Sequence, residues 1–199
     1  MAFPTPDKSH LDARQIRLTR AVGNCIMAWG GIELHLALTF EKLLASPPYV
    51  ANTVWDSVVS FDAKMKALNS VMELRISDPE LRAIWKKLLK KIQKKAGKRN
   101  EIAHCTLVIK DNEDATIVPY YSFAKDRPYL KAEDLEARWL TFNDYKEATR
   151  WLLAAVMVEL SGGRRPEHMP VPEVIRRIQE SIEQERATSQ SAPNAVGGS

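Results

Sequence analysis

The residues of this chain that are best equipped for chemistry lie in one six-residue segment, residues 99–104, with the sequence RNEIAH. Arg99 carries a permanent positive charge, and His104 can give or take a proton near neutral pH. Asn100 places an amide directly beside the arginine. Together these side chains could hold a phosphate and move a proton next to it, which is the minimum equipment for cleaving RNA without a metal ion.

A long amphipathic helix is predicted to carry this segment near its C-terminal end. Pro79, preceded by Ser77 and Asp78, is typical of a helix start, because proline suits the first helical position. The helix is predicted to run from Pro79 towards His104, with inward residues at alternating spacings of four and three. These residues are Trp85, Leu89, Ile92, Ala96, Arg99 and Ala103. Arg99 therefore stands where an apolar residue is expected.

A second charged residue, Glu33, interrupts the corresponding seam of the first predicted helix, at about residues 12–45. That seam consists of Val22, Ile26, Trp29, Glu33, Leu36, Phe40 and Leu43. A buried charge without a partner costs several kcal/mol. We therefore expect Glu33 and Arg99 either to face one another or to share a wet cleft, with Glu33 supporting the arginine. An ion pair that only fixes helix packing is the alternative.

The spacing of Arg99 and His104 does not place them on one helix face. They diverge by about 140° on a regular helix, at roughly 100° per residue. Either the helix is distorted near Gly97, or the two side chains reach a shared cleft from different sides. A surface or capping role for His104 is the structural alternative.

The helix before Arg99 is strongly basic. Residues 86–99 contain seven lysines, one arginine and no acidic residue. Such a run raises the local affinity for anions through counterion release, although many charge runs are simply solvated helix faces. The lysines that we predict to contact RNA are Lys87, Lys90, Lys91, Lys94 and Lys98.

Two further elements, a helix and a β-hairpin, are predicted around this segment. The helix is expected over residues 60–76, with Met65, Leu68 and Met72 among its inward residues. Residues 105–123 are rich in Thr, Val, Ile and Tyr around the polar turn 111–114, which predicts a β-hairpin.

After the hairpin the chain is predicted to be helical again. Helical character resumes at about residues 132–138, and Thr141 followed by Asp144 resembles a capping box that starts a helix ending before Gly162. A charged helix at about residues 172–186 carries a thin apolar stripe. The predicted fold is mainly α, a four- to five-helix bundle with a hairpin insertion and an appended C-terminal helix. The predicted division is a bundle domain at 1–163 and, at 164–199, a linker, a short helix and a disordered tail.

Composition is that of an ordinary soluble protein with one domain. The 199 residues are 45% hydrophobic and 27% charged, with a formal net charge of +4. No apolar run approaches the roughly 18–20 residues that span a bilayer, and no secretory signal is recognisable. The spacing of Cys25 and Cys105 does not indicate a disulfide framework. Proteins of a reducing compartment usually lack disulfide bonds. The chain is predicted to be cytoplasmic, with no membrane partner.

Metal and cofactor chemistry is not indicated. The histidines and cysteines show no zinc-ligand spacing. There is no glycine-rich phosphate loop and no serine nucleophile elbow. We therefore predict a site without a metal ion or cofactor.

The pattern Arg99-Asn100-x-x-Ala103-His104, late in a helical bundle, resembles the HEPN superfamily (higher eukaryotes and prokaryotes nucleotide-binding). That superfamily is marked by an arginine, four to six residues and a histidine, often with an asparagine after the arginine. The resemblance implies a helical bundle, often dimeric, in which the motifs of two subunits face a common cleft. It further implies a metal-independent endoribonuclease of a toxin–antitoxin or phage-defence system. Cys105 departs from the pattern, since many relatives have glycine there.

Three hypotheses follow for the function of the chain. In the first, an endoribonuclease uses Arg99, Asn100 and His104 as catalytic residues and leaves 2′,3′-cyclic phosphate ends. Its partners would be RNA, a second subunit and an antitoxin protein. In the second, a non-catalytic module uses the same residues to bind a nucleotide or RNA, or to fix a dimer. In the third, a structural helical protein contains only an ion pair.

Overall fold

A computed structural model describes residues 13–108, 115–119, 129–163 and 169–191. Over these residues the chain forms six α-helices and one two-stranded antiparallel sheet, so the predicted mainly helical fold with a β insertion is confirmed. The elements are α1 (Ala13–Leu44), α2 (Pro48–Ser57), α3 (Phe61–Arg75), α4 (Pro79–Ala103), β1 (Cys105–Val108), β2 (Thr116–Pro119), α5 (Ala132–Leu160) and α6 (Glu173–Ser191).

Local signals explain most of the helix boundaries. Pro48 is at the start of α2, and the side chain of Ser60 accepts a hydrogen bond from the backbone of Ala63 at the start of α3. Asp78 caps α4, because its carboxylate accepts the backbone N–H groups of the next turn at 2.8 and 3.2 Å. After α5, Gly162 adopts a φ of +68°, the left-handed conformation that glycine tolerates best.

One helix was missed, and one predicted helix start was wrong. Helix α2 was not predicted, because only Ala51 and Trp55 are buried in it and they are too few to form a recognisable seam. Thr141 does not begin a helix. It lies inside α5, where its hydroxyl donates to the carbonyl oxygen of Ala137 at 3.1 Å, so residues 132–160 form one continuous helix.

The predicted seams of α1 and α4 are confirmed only in part. The predicted seam residues that are buried are Trp29, Leu36, Phe40 and Leu43 in α1 and Trp85 and Ile92 in α4, and the other predicted seam positions are half-buried or exposed. In α1, Ile26 is 38% exposed. The nearest buried residues before and after it are Cys25 and Ala28. Ile32 rather than Glu33 is fully buried, and Glu33 is half-buried. The buried residues of α4 are Leu81, Ile84, Trp85, Leu88, Ile92 and Ile102.

The described residues form two compact units. The first unit comprises the described parts of 1–31 and 96–143. Its core contains Trp29 and Phe142, whose rings meet edge to face with centroids 5.3 Å apart. In its sheet Cys105 lies opposite Pro119, and Val108 lies opposite Thr116. The predicted hairpin turn, residues 111–114, and residues 120–123 lie outside the described residues.

The second unit comprises residues 32–95 and the described part of 144–199. Within it α6 carries a buried stripe of Ile175, Ile178 and Ile182, and side-chain hydrogen bonds join α6 to α4. Gln179 donates to the carboxylate of Glu80 at 3.1 Å beside that stripe. The apolar stripe predicted in the C-terminal helix is therefore used within the chain. The predicted division at 163/164 stays a prediction, and the tail 192–199 lies outside the described residues.

Helix α1 is more apolar than its sequence pattern suggested. It contains an 18-residue window with a mean hydropathy of 1.2, enough by length and composition to cross a bilayer, and 33% of that window is buried within the protein. The core helix of a soluble protein and a signal sequence near the N-terminus both pass the same test. The expectation that no segment is long and apolar enough to span a bilayer is therefore corrected for α1. The cytoplasmic location stays a prediction.

Candidate functional site

The three predicted catalytic residues lie at the C-terminal end of α4, in the first unit. Arg99 and Asn100 belong to the last turn, α4 ends at Ala103, and His104 is the first residue beyond it. The backbone N–H of His104 still donates to the carbonyl oxygen of Asn100 at 3.1 Å and so closes the last turn. The divergence of about 140° between Arg99 and His104 applies to a regular helix. Because His104 has left the helix, that angle does not fix its direction.

The side chains of Arg99 and Asn100 contact one another. Nη1 of Arg99 donates to Oδ1 of Asn100 at 3.2 Å. Arg99 is half-buried, whereas Asn100 and His104 are exposed. The site therefore combines a guanidinium steadied by an amide with an imidazole that solvent or a substrate can reach.

A partly buried ion pair within the first unit was not predicted from the sequence. Nη1 of Arg138, on α5, donates to Oε2 of Glu101 at 2.9 Å, and the two side chains are only 20% and 22% exposed. Lys98 donates to the other carboxylate oxygen of Glu101 at 3.1 Å. One signal in the sequence could have drawn attention to this ion pair. Glu101 is an acidic residue inside the 99–104 segment, three residues before His104. No spacing rule pointed to a partner 37 residues away.

The two cysteines of the first unit are poor nucleophiles. Sγ of Cys25 donates to the carbonyl oxygen of Leu135 at 3.1 Å. Burial raises the pKa of Cys25 to about 11, and the nearby charge of Arg138 offsets only part of that rise. Burial also raises the pKa of Cys105. Since the thiolate is the reactive form, neither thiol is activated at neutral pH.

A second charge cluster of the first unit joins α1 to α5. Arg17 donates through Nε and Nη2 to the two carboxylate oxygens of Glu136, at 2.9 and 2.7 Å, and also contacts Glu133. These hydrogen bonds hold the pKa of Glu136 below its usual range. Arg17 and Glu133 line a shallow hollow with Arg14, Ala115, Lys131 and Ala132. Because Arg17 binds carboxylates there, we assign the cluster a structural role in linking α1 to α5.

The supporting residue Glu33 belongs to the second unit and is half-buried. Arg99 belongs to the first unit. The pairing of Glu33 with Arg99 stays a prediction.

The predicted RNA-binding lysines differ in their surroundings. In the second unit Lys90, Lys91 and Lys94 are all exposed. Lys87 instead donates to Ser181 at 2.9 Å and to Glu185 at 2.6 Å, and so holds α6 against α4. In the first unit Lys98 is bound to Glu101, as described above. Lys90, Lys91 and Lys94 are therefore the lysines best placed to meet an RNA backbone.

His35, in the second unit, has a structural environment. Nδ1 of His35 lies 3.2 Å from both the carbonyl oxygen of Lys146 and the hydroxyl of Thr149. Burial is the main cause that lowers the pKa of His35. The protein interior therefore favours the neutral form of His35. His10 and His168 lie outside the described residues.

Among the described residues, no group of three or more His, Cys, Asp or Glu side chains is placed to hold a metal ion. The predicted metal-free chemistry stays a prediction.

No protein-family model, curated protein or solved structure matches this chain. The likeness of residues 99–104 to the HEPN motif stays a prediction from the sequence.

Proposed function

We propose that this chain is a metal-independent endoribonuclease of HEPN type. The observation that carries the proposal is the arrangement at the end of α4. There Arg99 and Asn100 are in side-chain contact, and His104 is exposed immediately beyond the helix. A phosphate-binding cation and a proton-transfer group are thus presented by the same short segment.

In the proposed reaction the ribose 2′-oxygen attacks the adjacent phosphorus, and the bond from phosphorus to the 5′-oxygen breaks. His104 acts as general base on the 2′-hydroxyl proton, or as general acid that protonates the leaving 5′-oxygen. Arg99 stabilises the negative charge that develops on the non-bridging oxygens. The products are a 2′,3′-cyclic phosphate and a free 5′-hydroxyl.

Asn100 contributes by positioning. Its Oδ1 accepts a hydrogen bond from Arg99 and so steadies the plane of a guanidinium that carries five N–H donors in all. Arg99 is half-buried, and this strengthens its electrostatic stabilisation of the developing negative charge. The reason is that the effective dielectric constant at a half-buried site is lower than in open water.

Lys90, Lys91 and Lys94 supply affinity in this proposal. Their ammonium groups would release counterions on contact with the RNA backbone. Such contacts are independent of sequence, so these lysines set binding strength and do not take part in the chemical step.

A second subunit completes the site in this proposal. One chain offers a single Arg99 and a single His104, whereas the reaction uses both a general base and a general acid. The HEPN resemblance implies a homodimer with the two motifs at a common cleft, and a neutralising antitoxin protein as a further partner.

A non-catalytic nucleotide- or RNA-binding module is the second candidate. It is favoured by the contact between Arg99 and Asn100, since a steadied guanidinium can bind a phosphate without any proton transfer. Under this alternative His104 is a binding residue only.

The test is an RNA cleavage assay in EDTA, with the 2′,3′-cyclic phosphate ends scored directly. We expect wild-type protein to cleave, and His104→Gln and Arg99→Ala to be inactive while folded. His35→Gln and Arg82→Ala are matched controls, because His35 belongs to the second unit and Arg82 is a half-buried arginine of the same helix. Both controls should cleave.

Two outcomes would overturn the proposal. If wild-type protein binds RNA through Arg99 but does not cut it, the chain is a binding module. If it neither binds nor cuts, residues 99–104 have a structural role.

A further inference from the structure

Four lysines of the second unit form one stripe along α4, and the first of them is withheld from solvent. The stripe consists of Lys87, Lys90, Lys91 and Lys94. On a regular helix these four positions fall within roughly 100° around the axis. The last three are exposed. The side chain of Lys87, at the N-terminal end of the stripe, is only 24% exposed.

Helix α6 shields Lys87 through two hydrogen bonds. Nζ of Lys87 donates to Oγ of Ser181 at 2.9 Å and to Oε1 of Glu185 at 2.6 Å. The two acceptors are one helical turn apart, so they lie one above the other on the same face of α6. The positive charge of Lys87 is therefore balanced by a carboxylate of another helix.

Glu185 lies on α6 where the buried apolar stripe would continue. That stripe consists of Ile175, Ile178 and Ile182. Glu185 follows Ile178 by two helical turns, which places the two side chains within about 20° of each other around the axis. The side chain of Glu185 is nevertheless 69% exposed. Apolar packing thus fixes the first half of α6, and beyond Ile182 a charged contact with α4 takes over.

We propose that Glu185 is an intramolecular competitor of the RNA backbone for Lys87, an inference that rests on the RNA binding of the proposed function. A phosphate that reaches the N-terminal end of the lysine stripe displaces the Glu185 carboxylate from Nζ. Lys87 then becomes a further RNA contact beside Lys91 and Lys94. Only hydrogen-bond acceptors are exchanged on the ammonium group, and no covalent bond changes.

The competition follows from the charge of the ammonium group. A lysine favours RNA binding because the phosphate that it neutralises releases its counterions. While the Glu185 carboxylate lies 2.6 Å from Nζ, Lys87 is already neutralised, and the carboxylate also repels an approaching phosphate. The exposure of Glu185 makes its displacement easy, because ion pairs in contact with water contribute little to stability.

A purely structural link between α4 and α6 is the alternative role for this ion pair. The link does not depend on Glu185, because Ser181 supplies Lys87 with an uncharged acceptor. Gln179 also joins the two helices through Glu80, at 3.1 Å. What Glu185 adds to these contacts is neutralisation of Lys87, and neutralisation is the property that competition with a phosphate requires.

The first experiment measures the binding of a 2′-O-methyl oligouridylate, which has no 2′-hydroxyl and cannot be cleaved by the proposed reaction. Fluorescence anisotropy at several salt concentrations gives the affinity and its salt dependence. Glu185→Gln should steepen the slope of log K against log salt by about 0.7, the contribution of one further phosphate of a single strand. At 0.1 M salt this corresponds to binding that is about fivefold tighter than wild type.

Glu183→Gln is the matched control, since it removes the same charge from the same helix. Glu183 is exposed, and it is two residues from both Ser181 and Glu185, which places it on the opposite side of α6 from Lys87. At 0.1 M salt, exposed charges separated by more than about 10 Å are largely screened. This variant should therefore keep the wild-type slope and bind within about twofold of wild type.

The second experiment repeats the comparison in a Lys87→Gln background. Because no ammonium group can be released there, adding Glu185→Gln should change neither the affinity nor the slope. Urea denaturation checks that each variant is folded. A gain that persists in this background would overturn the proposal, because it would not pass through Lys87.

Three further results would also overturn the proposal: equal gains in Glu185→Gln and Glu183→Gln, no gain in Glu185→Gln, or no binding by either wild-type protein or Glu185→Gln. The probe cannot be cut, so none of these results depends on catalysis by Arg99 or His104. A gain through Lys87 would stand even if the cleavage assay were negative. Its absence, with wild-type binding intact, would leave the proposed ribonuclease unaffected.

Discussion

Arg138 donates a hydrogen bond to Glu101 at 2.9 Å, and both side chains are about four-fifths shielded from solvent. This pair joins the last turn of α4 to α5 within the first unit. Glu101 stands between Arg99 and His104 in the chain, so the pair anchors the segment that carries the proposed chemistry. Its loss should affect both stability and activity.

The variant Glu101→Ala should therefore destabilise the protein by about 2 kcal/mol, because it leaves Arg138 partly buried without its carboxylate. Urea denaturation measures this change. Asp62→Ala is the control, since its ion pair with Lys66 is exposed and should contribute little. A change no larger than that of the control would show that the Glu101–Arg138 pair is not stabilising.

His35 should make folding stability depend on pH. Burial lowers its folded pKa below the ordinary value of 6.5. The unfolded chain therefore binds the proton more readily, so stability is complete above 6.5 and falls as pH drops through the folded value. Urea midpoints should decline over that window in wild-type protein and decline less in His35→Gln. Parallel curves for the two proteins would contradict this assignment.

The chemical step should depend on the identity of both Arg99 and His104. His104→Ala should lower kcat by about 100- to 10,000-fold, the usual contribution of a general acid or base. Arg99→Lys should also lower kcat, because an ammonium group lacks the planar fork of donors. Single-turnover cleavage in EDTA measures both effects. Wild-type rates in either variant would remove that residue from the proposed mechanism.

RNA affinity should depend on the exposed lysines of α4. The double variant Lys90→Glu/Lys94→Glu should weaken binding of single-stranded RNA. It should also reduce the slope of log K against log salt by about 1.4, or about 0.7 for each phosphate that is no longer neutralised.

The control for this variant is Arg176→Glu/Arg177→Glu, which makes the same change in net charge on α6. Equal weakening in the two double variants would mean that net charge, and not this part of α4, governs the affinity.

The sequence by itself determined the features that depend on neighbouring residues. The start of α4 at Pro79 and the end of α5 before Gly162 were predicted because caps act within one helical turn. The mainly helical fold with a β insertion was predicted from the change in apolar spacing after His104. The position of Arg99 and Asn100 on the last turn of α4 follows from the same short-range pattern.

Only the tertiary structure decided which positions around Cys25 of α1 are buried and which distant charges meet. Helix α1 is apolar on two opposite sides, so spacing alone could not show that Cys25 and not Ile26 faces the core. Glu101 and Arg138 belong to different helices, and nothing in the spacing of either helix predicts their meeting. The physical reason is range: capping and helix propensity act over a few residues, whereas burial and ion pairing are set by the packing of elements far apart in the chain.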